Sequence, residues 1–95
     1  MIERHVTFEV IPDKTQDFEN LFVKAYRPAM AGMPGFIKVE LLRLQDSSII
    51  YQMIIRFETA EAASAWRNSP EHQGLSPQLK ALYIASHLQV FEVIA

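Results

Sequence analysis

The sequence has no cysteine, only three glycines and a single tryptophan. The missing thiol excludes disulfides, thiolate metal sites and a cysteine nucleophile together. Nine Lys and Arg residues stand singly among eleven Asp and Glu, for a formal net charge of -2. With no basic patch, nucleic acid and anionic membrane surfaces are poor partners. There is no long apolar run and no N-terminal basic-then-apolar segment. Neither a membrane span nor a signal peptide is expected, and the expected location is cytoplasmic. The three histidines, His5, His72 and His87, have no carboxylate beside them at helical spacing, a poor basis for a metal site, so no metal is expected. Linkers, low-complexity tracts and charge runs are absent too, and the 95 residues are read as one domain, 1–95.

What is present is apolar. Hydrophobic residues make up 49% of the chain and charged ones 21%. A chain of this length buries only about 60–70% of its unfolded surface. That leaves more apolar surface than one small core needs, and a homodimer is expected.

The apolar residues change period along the chain. Over residues 3–11, Val6, Phe8 and Val10 alternate with His5, Thr7 and Glu9, the pattern of a strand with one buried face. From Lys14 the period is helical, with Phe18, Leu21, Phe22, Ala25, Ala29 and Met30 on one stripe. Pro28 should kink or split this helix near Tyr26-Arg27, and Gly32 and Pro34-Gly35 stop it. Residues 36–45 and 49–57 read as strands joined by the turn Asp46-Ser47-Ser48, hence a hairpin. The second of these is apolar on both faces, which places it centrally in a sheet covered on one side by helices and on the other by a second copy.

A helix capped by Thr59 carries Trp66 and ends near Asn68. Ser69-Pro70 then restarts the chain as a helix, the serine hydroxyl as cap and the proline where no N–H is needed, with His72 in the first turn. A second capping pair, Ser76-Pro77, predicts a separate short helix over residues 78–82, and a strand over 83–94 closes the chain. The order strand-helix-strand, strand-helix-strand predicts an α+β, ferredoxin-like four-stranded antiparallel sheet with helices on one face. The break at residues 65–72 brings an indole toward a group that titrates near neutral pH, a plausible place for chemistry. The alternative reading makes Trp66 a core anchor and His72 a solvated surface residue.

Several segments resemble the antibiotic biosynthesis monooxygenase family: Ala25-Tyr26-Arg27-Pro28-Ala29-Met30, Met33-Pro34-Gly35-Phe36, Val39-Glu40-Leu41-Leu42-Arg43, Ile55-Arg56-Phe57-Glu58, Phe91-Glu92-Val93, and above all Ser69-Pro70-Glu71-His72 after a helical tryptophan. The resemblance implies a dimeric α+β barrel in which two sheets pack face to face. It also implies oxidation of an electron-rich phenol, quinol or polyketide-like aromatic by O2, with no metal or flavin cofactor. On that reading Trp66, His72 and Asn68 are the candidate catalytic residues, with Trp66 stacking on the ring and His72 as base or hydrogen-bond donor. Tyr26, Arg56 and Tyr83 are candidates for holding substrate oxygens. Asn68 is equally explained as a helix cap, and Arg56 as one half of a salt bridge across the sheet. Two other functions remain open. One is a dimeric protein that binds a small aromatic metabolite without turning it over. The other is heme binding or degradation, against which stands the lack of an asparagine in the first strand, His5-Val6-Thr7-Phe8.

Overall fold

Alternation builds the sheet. In a computed structural model describing residues 1–95, β1 (Ile2–Val10) turns Phe8 and Val10 into the core. It pairs antiparallel with β3 (Ile50–Phe57) on one side and β4 (Tyr83–Glu92) on the other. β2 (Phe36–Arg43) forms the hairpin with β3, closed by Leu44 N–H donating to Ile50 O at 2.8 Å. The sheet order is β2-β3-β1-β4, so β3 is central, as the sequence indicates. The helices lie on one face, and Phe18, Phe22, Tyr26, Met30, Trp66 and Leu79 join Phe8, Tyr51, Met53, Ile55 and Phe57 in one core cluster. Each large side chain so buried contributes roughly 1.5–3 kcal/mol. This is the ferredoxin-like α+β plan.

The first helical run is divided at Tyr26-Arg27, where Pro28 predicts a kink or split. After a short 3-10 turn (Pro12–Lys14), α1 (Thr15–Leu21) passes into a π turn (Phe22–Tyr26) and then α2 (Arg27–Ala31) without leaving helical geometry. Pro28 lacks an N–H and its ring crowds the carbonyl four residues back. The widened turn absorbs this, with Arg27 N–H reaching the Phe22 carbonyl. Residues spaced by four drift about 40° per step on a 3.6-residue turn. The π turn cancels part of that drift, so Phe18, Phe22, Tyr26 and Met30 are all buried and Ala25 only half so. Tyr26 thereby joins the inward stripe.

The last helix corrects one expectation. α4 (Pro70–Lys80) runs straight through Gly74 and Pro77, with no restart at Ser76-Pro77. Leu75 and Leu79 both pack on the core, and a continuous helix keeps these residues, four apart, on one face. That packing outweighs the backbone bond that Pro77 cannot make.

The outer sheet face is mixed rather than apolar. Strand register puts Phe91, Glu3, Arg56 and Lys38 in one row, Gln89, His5, Ile54 and Glu40 in the next, and His87, Thr7, Gln52 and Leu42 in a third. Within it Arg56 Nε donates to Glu3 at 2.6 Å and the His5 ring meets Glu3 at 2.8 Å. The alternation of β3 alone did not reveal the polar residues that β1 sets beside it.

Candidate active site

One buried hydroxyl joins the two halves of the site. α3 (Ala60–Arg67) begins on Thr59, whose hydroxyl accepts from Ala62 N–H at 3.1 Å, and carries Trp66 into the core near its end. Ser69, 6% exposed, donates its hydroxyl to the Trp66 carbonyl at 2.7 Å and accepts from His72 N–H at 3.1 Å. It is both the cap of α4 and a clamp between the turn bearing the indole and the turn bearing the imidazole. The two rings meet edge-on, centroids 5.2 Å apart at 81°. From the π turn, the Tyr26 ring stands 6.1 Å from Trp66 and 6.5 Å from His72.

These rings line a cavity of about 310 Å³ between the helices and the β1–β4 side of the sheet. Val6, Phe8, Met53, Ile55, Leu79 and Leu88 form its apolar wall, and Tyr83, Ser76, Ser86, Arg4, Arg67 and Lys80 supply polar groups. Burial holds the His72 imidazolium below its ordinary pKa, and the nearby Arg67, Arg4 and Lys80 cations push it the same way, against the opposing effect of a hydrogen bond to the Arg67 backbone carbonyl. The ring is therefore neutral at neutral pH and free to take a proton. Tyr26 moves oppositely: burial, then Tyr83, raises its hydroxyl to about 12. It is a hydrogen-bond donor at neutral pH and cannot serve as a base.

A larger groove of about 530 Å³ lies elsewhere, lined by Glu19, Phe22, Arg27, Leu41, Arg43 and Tyr51. Its chemistry is already committed: Glu19 accepts from the Tyr51 hydroxyl and pairs with Arg43 at 3.8 Å, while Arg27 lies over the Phe22 ring. The smaller cavity, with a free imidazole and no acid in its lining, is the better candidate for catalysis.

The family profile described as antibiotic biosynthesis monooxygenase matches residues 1–76. The chain belongs to that family. Solved structures with the same fold include SnoaB, a cofactor-independent oxygenase from Streptomyces nogalater, at 23% identity and TM-score 0.89 over 99% of this chain and 93% of that one. A conserved protein from Methanosarcina mazei matches at 16% identity and TM-score 0.87, covering 95% of this chain and 89% of its own. A Caulobacter crescentus protein named for the same family matches at 17% identity and TM-score 0.90, over 99% and 90%. No curated protein matches the sequence.

As an antibiotic biosynthesis monooxygenase family member, the chain gathers four of the residues singled out above, Trp66, His72, Tyr26 and Tyr83, around one cavity. Two others lie apart from it. Arg56 is on the opposite sheet face, held by Glu3, because it alternates out of phase with Ile55 and Phe57. Asn68 is exposed at the C-terminal cap of α3 and lines a shallow polar depression outside the chamber. The sequence reading overlooked Arg4, Arg67, Lys80 and Ser76. For Arg4 there was a signal: it stands in phase with Val6, Phe8 and Val10, an arginine in the inward register of a strand. Arg67 and Lys80 reach the cavity only because α3 and α4 meet there. No group of three or more His, Cys, Asp or Glu side chains is placed to hold a metal ion, and no helix is long and apolar enough to cross a membrane.

Proposed function

We propose that the protein is a cofactor-independent monooxygenase that oxidises an electron-rich aromatic substrate with O2 in the Trp66–His72 cavity. The observation that carries this reading is an imidazole set edge-on to an indole in a mostly apolar chamber, where burial and neighbouring cations disfavour its protonated form. Triplet O2 reacts slowly with closed-shell molecules, but a phenolate or its carbon-centred resonance form passes it one electron readily. In this scheme His72 takes the substrate proton. Trp66 and the apolar wall hold the ring and keep water from the radical pair. The Tyr26 hydroxyl, a donor at neutral pH, and Tyr83 bind substrate oxygens. The substrate radical and superoxide combine at a ring CH2, and the resulting peroxide loses water to leave a carbonyl. One oxygen atom of O2 ends in the carbonyl and the other in water, with every electron drawn from the substrate.

The test is oxygen uptake by metal-stripped protein with naphthols, anthrones and hydroquinones. Uptake that drops at least tenfold in Trp66→Phe, about 1.4 kcal/mol of barrier, is the expected result. No uptake with any compound, together with tight binding of one, favours a non-catalytic aromatic-binding protein instead.

The working unit proposed is a homodimer, with a second copy covering the outer sheet face where Phe91, Leu42, Ile50 and Ile54 interleave with the Glu3–Arg56 pair. Phe91 and Leu42 are 43% and 44% exposed in the single chain. Sedimentation at micromolar concentration is expected to give twice the chain mass, and a monomer mass rejects the dimer.

A further inference from the structure

The cavity and the polar depression outside it share Arg67, His72, Ser76 and Lys80, so an apolar chamber and a polar mouth adjoin across these side chains. On the sheet side Arg4 reaches the same chamber from β1. Neither lining contains an aspartate or a glutamate. Nor are the cations engaged elsewhere. The ion pairs of the structure are His5–Glu3, Lys38–Glu40, Arg43–Glu19 and Arg56–Glu3, none of which involves Arg4, Arg67 or Lys80. In a chain whose net charge is -2, three unpaired cations converge on one chamber.

Such an arrangement has a cost for the empty protein. Like charges around a low-dielectric space repel one another, and Arg4, half-buried beside Arg67, is itself pushed below its ordinary pKa by burial and by that neighbour. A bound anion relieves the repulsion at all three cations at once. Arginine suits the task, since its planar fork meets a carboxylate with two parallel hydrogen bonds. The Ser76 hydroxyl, at the shared mouth, adds a further donor.

We infer that the ligand of this site is an aromatic acid, its ring in the Trp66 chamber and its carboxylate at the mouth between Arg67 and Lys80, with Arg4 behind. The inference rests on the reading of the cavity as an aromatic site and names the class of molecule it takes. The position of the carboxylate also orients the ring, because the anionic head and the apolar body must enter in one direction.

The probes are 2-naphthoate and its uncharged isostere 2-naphthamide, titrated under nitrogen against the fluorescence of Trp66, the one tryptophan in the chain. The acid is expected to bind at least tenfold more tightly than the amide at low salt, with the advantage shrinking as salt screens the exposed mouth. In the double variant Arg67→Gln/Lys80→Gln the preference is expected to fall below threefold while the amide binds as before, which shows that the chamber is intact. Should that variant fail to fold, Arg4→Gln read the same way keeps the test decisive. Equal binding of acid and amide overturns the inference, as does a preference that survives in the variants, or no quenching by either compound. Binding under nitrogen needs no turnover. Preference for the acid, with no oxygen uptake in air from any of the naphthols, anthrones or hydroquinones, therefore removes the oxygenase reading and leaves this one standing.

Discussion

Replacing His72 with alanine is expected to lower kcat/KM for oxygen uptake by about 100- to 10,000-fold, the range lost with a positioned general base. A bare loss of activity would also follow from a distorted pocket, so the pH profile is the deciding measurement. The imidazole must be neutral to accept a proton. Burial and the Arg67, Arg4 and Lys80 charges all disfavour its protonated form, so the acid limb of kcat/KM lies below the ordinary histidine value of 6.5. Below that limb the rate falls about tenfold per pH unit, the neutral fraction being the active one. In His72→Ala the limb disappears. In Arg67→Gln it moves to higher pH, because removing a neighbouring cation lets the imidazolium form more easily. A limb at or above 6.5 in the wild type, or one that persists in His72→Ala, assigns the base to another group.

Stability follows the same linkage. The folded state holds His72 with a lowered pKa, so this contribution is fully present above the unfolded value of 6.5 and is lost as the pH falls through the folded one. The alanine variant lacks that slope.

Gly35→Ala is expected to be the most destabilising small change in the chain. Gly35 has φ +79°, the left-handed region in which a Cβ costs about 1–2 kcal/mol. A Cβ there would also stand 2.7 Å from the Ala62 Cβ of α3. Relieving that overlap by moving the helix costs a further 1–3 kcal/mol or so. The sum, about 2–5 kcal/mol, is a large part of the roughly 5–15 kcal/mol that holds a domain together. Urea unfolding measures it. Truncating the neighbour separates the two causes: in an Ala62→Gly background the steric part vanishes and only the backbone part remains, so the two changes are non-additive. A loss of no more than about 1–2 kcal/mol in the single variant, the backbone part alone, means that α3 moves away freely. The consequence for function is direct. Ala62 sits one helical turn before Trp66, so a displaced α3 carries the indole with it and lowers activity even where the protein stays folded.

The sequence by itself determined the plan of this protein. Period-two alternation in Val6, Phe8 and Val10 and in Tyr51, Met53, Ile55 and Phe57 marks strands, and the Thr59 and Ser69-Pro70 caps mark where α3 and α4 begin. These signals are local, carried by residues a few positions apart, and they suffice for element order and hence for an α+β sheet. They also place Trp66 and His72 on either side of one short break. Tertiary structure decided what local chemistry left open. Pro28 reads as a kink or split, and the chain meets it with a π turn that keeps Tyr26 and Met30 buried; Ser76-Pro77 reads as a restart, yet Pro77 sits inside α4, because burying Leu79 outweighs one missing backbone bond. Arg56 and Arg4 both lie in strands, yet the first meets Glu3 on the outer face and the second enters the chamber. Arg67 and Lys80, separate in the chain, become one positive mouth only because the face of α4 that carries His72, Ser76 and Lys80 adjoins the end of α3. A charge acts at a distance set by folding, not by sequence spacing. The Trp66–His72 pair could therefore be read along the chain, while the electrostatics around it could be read only in three dimensions.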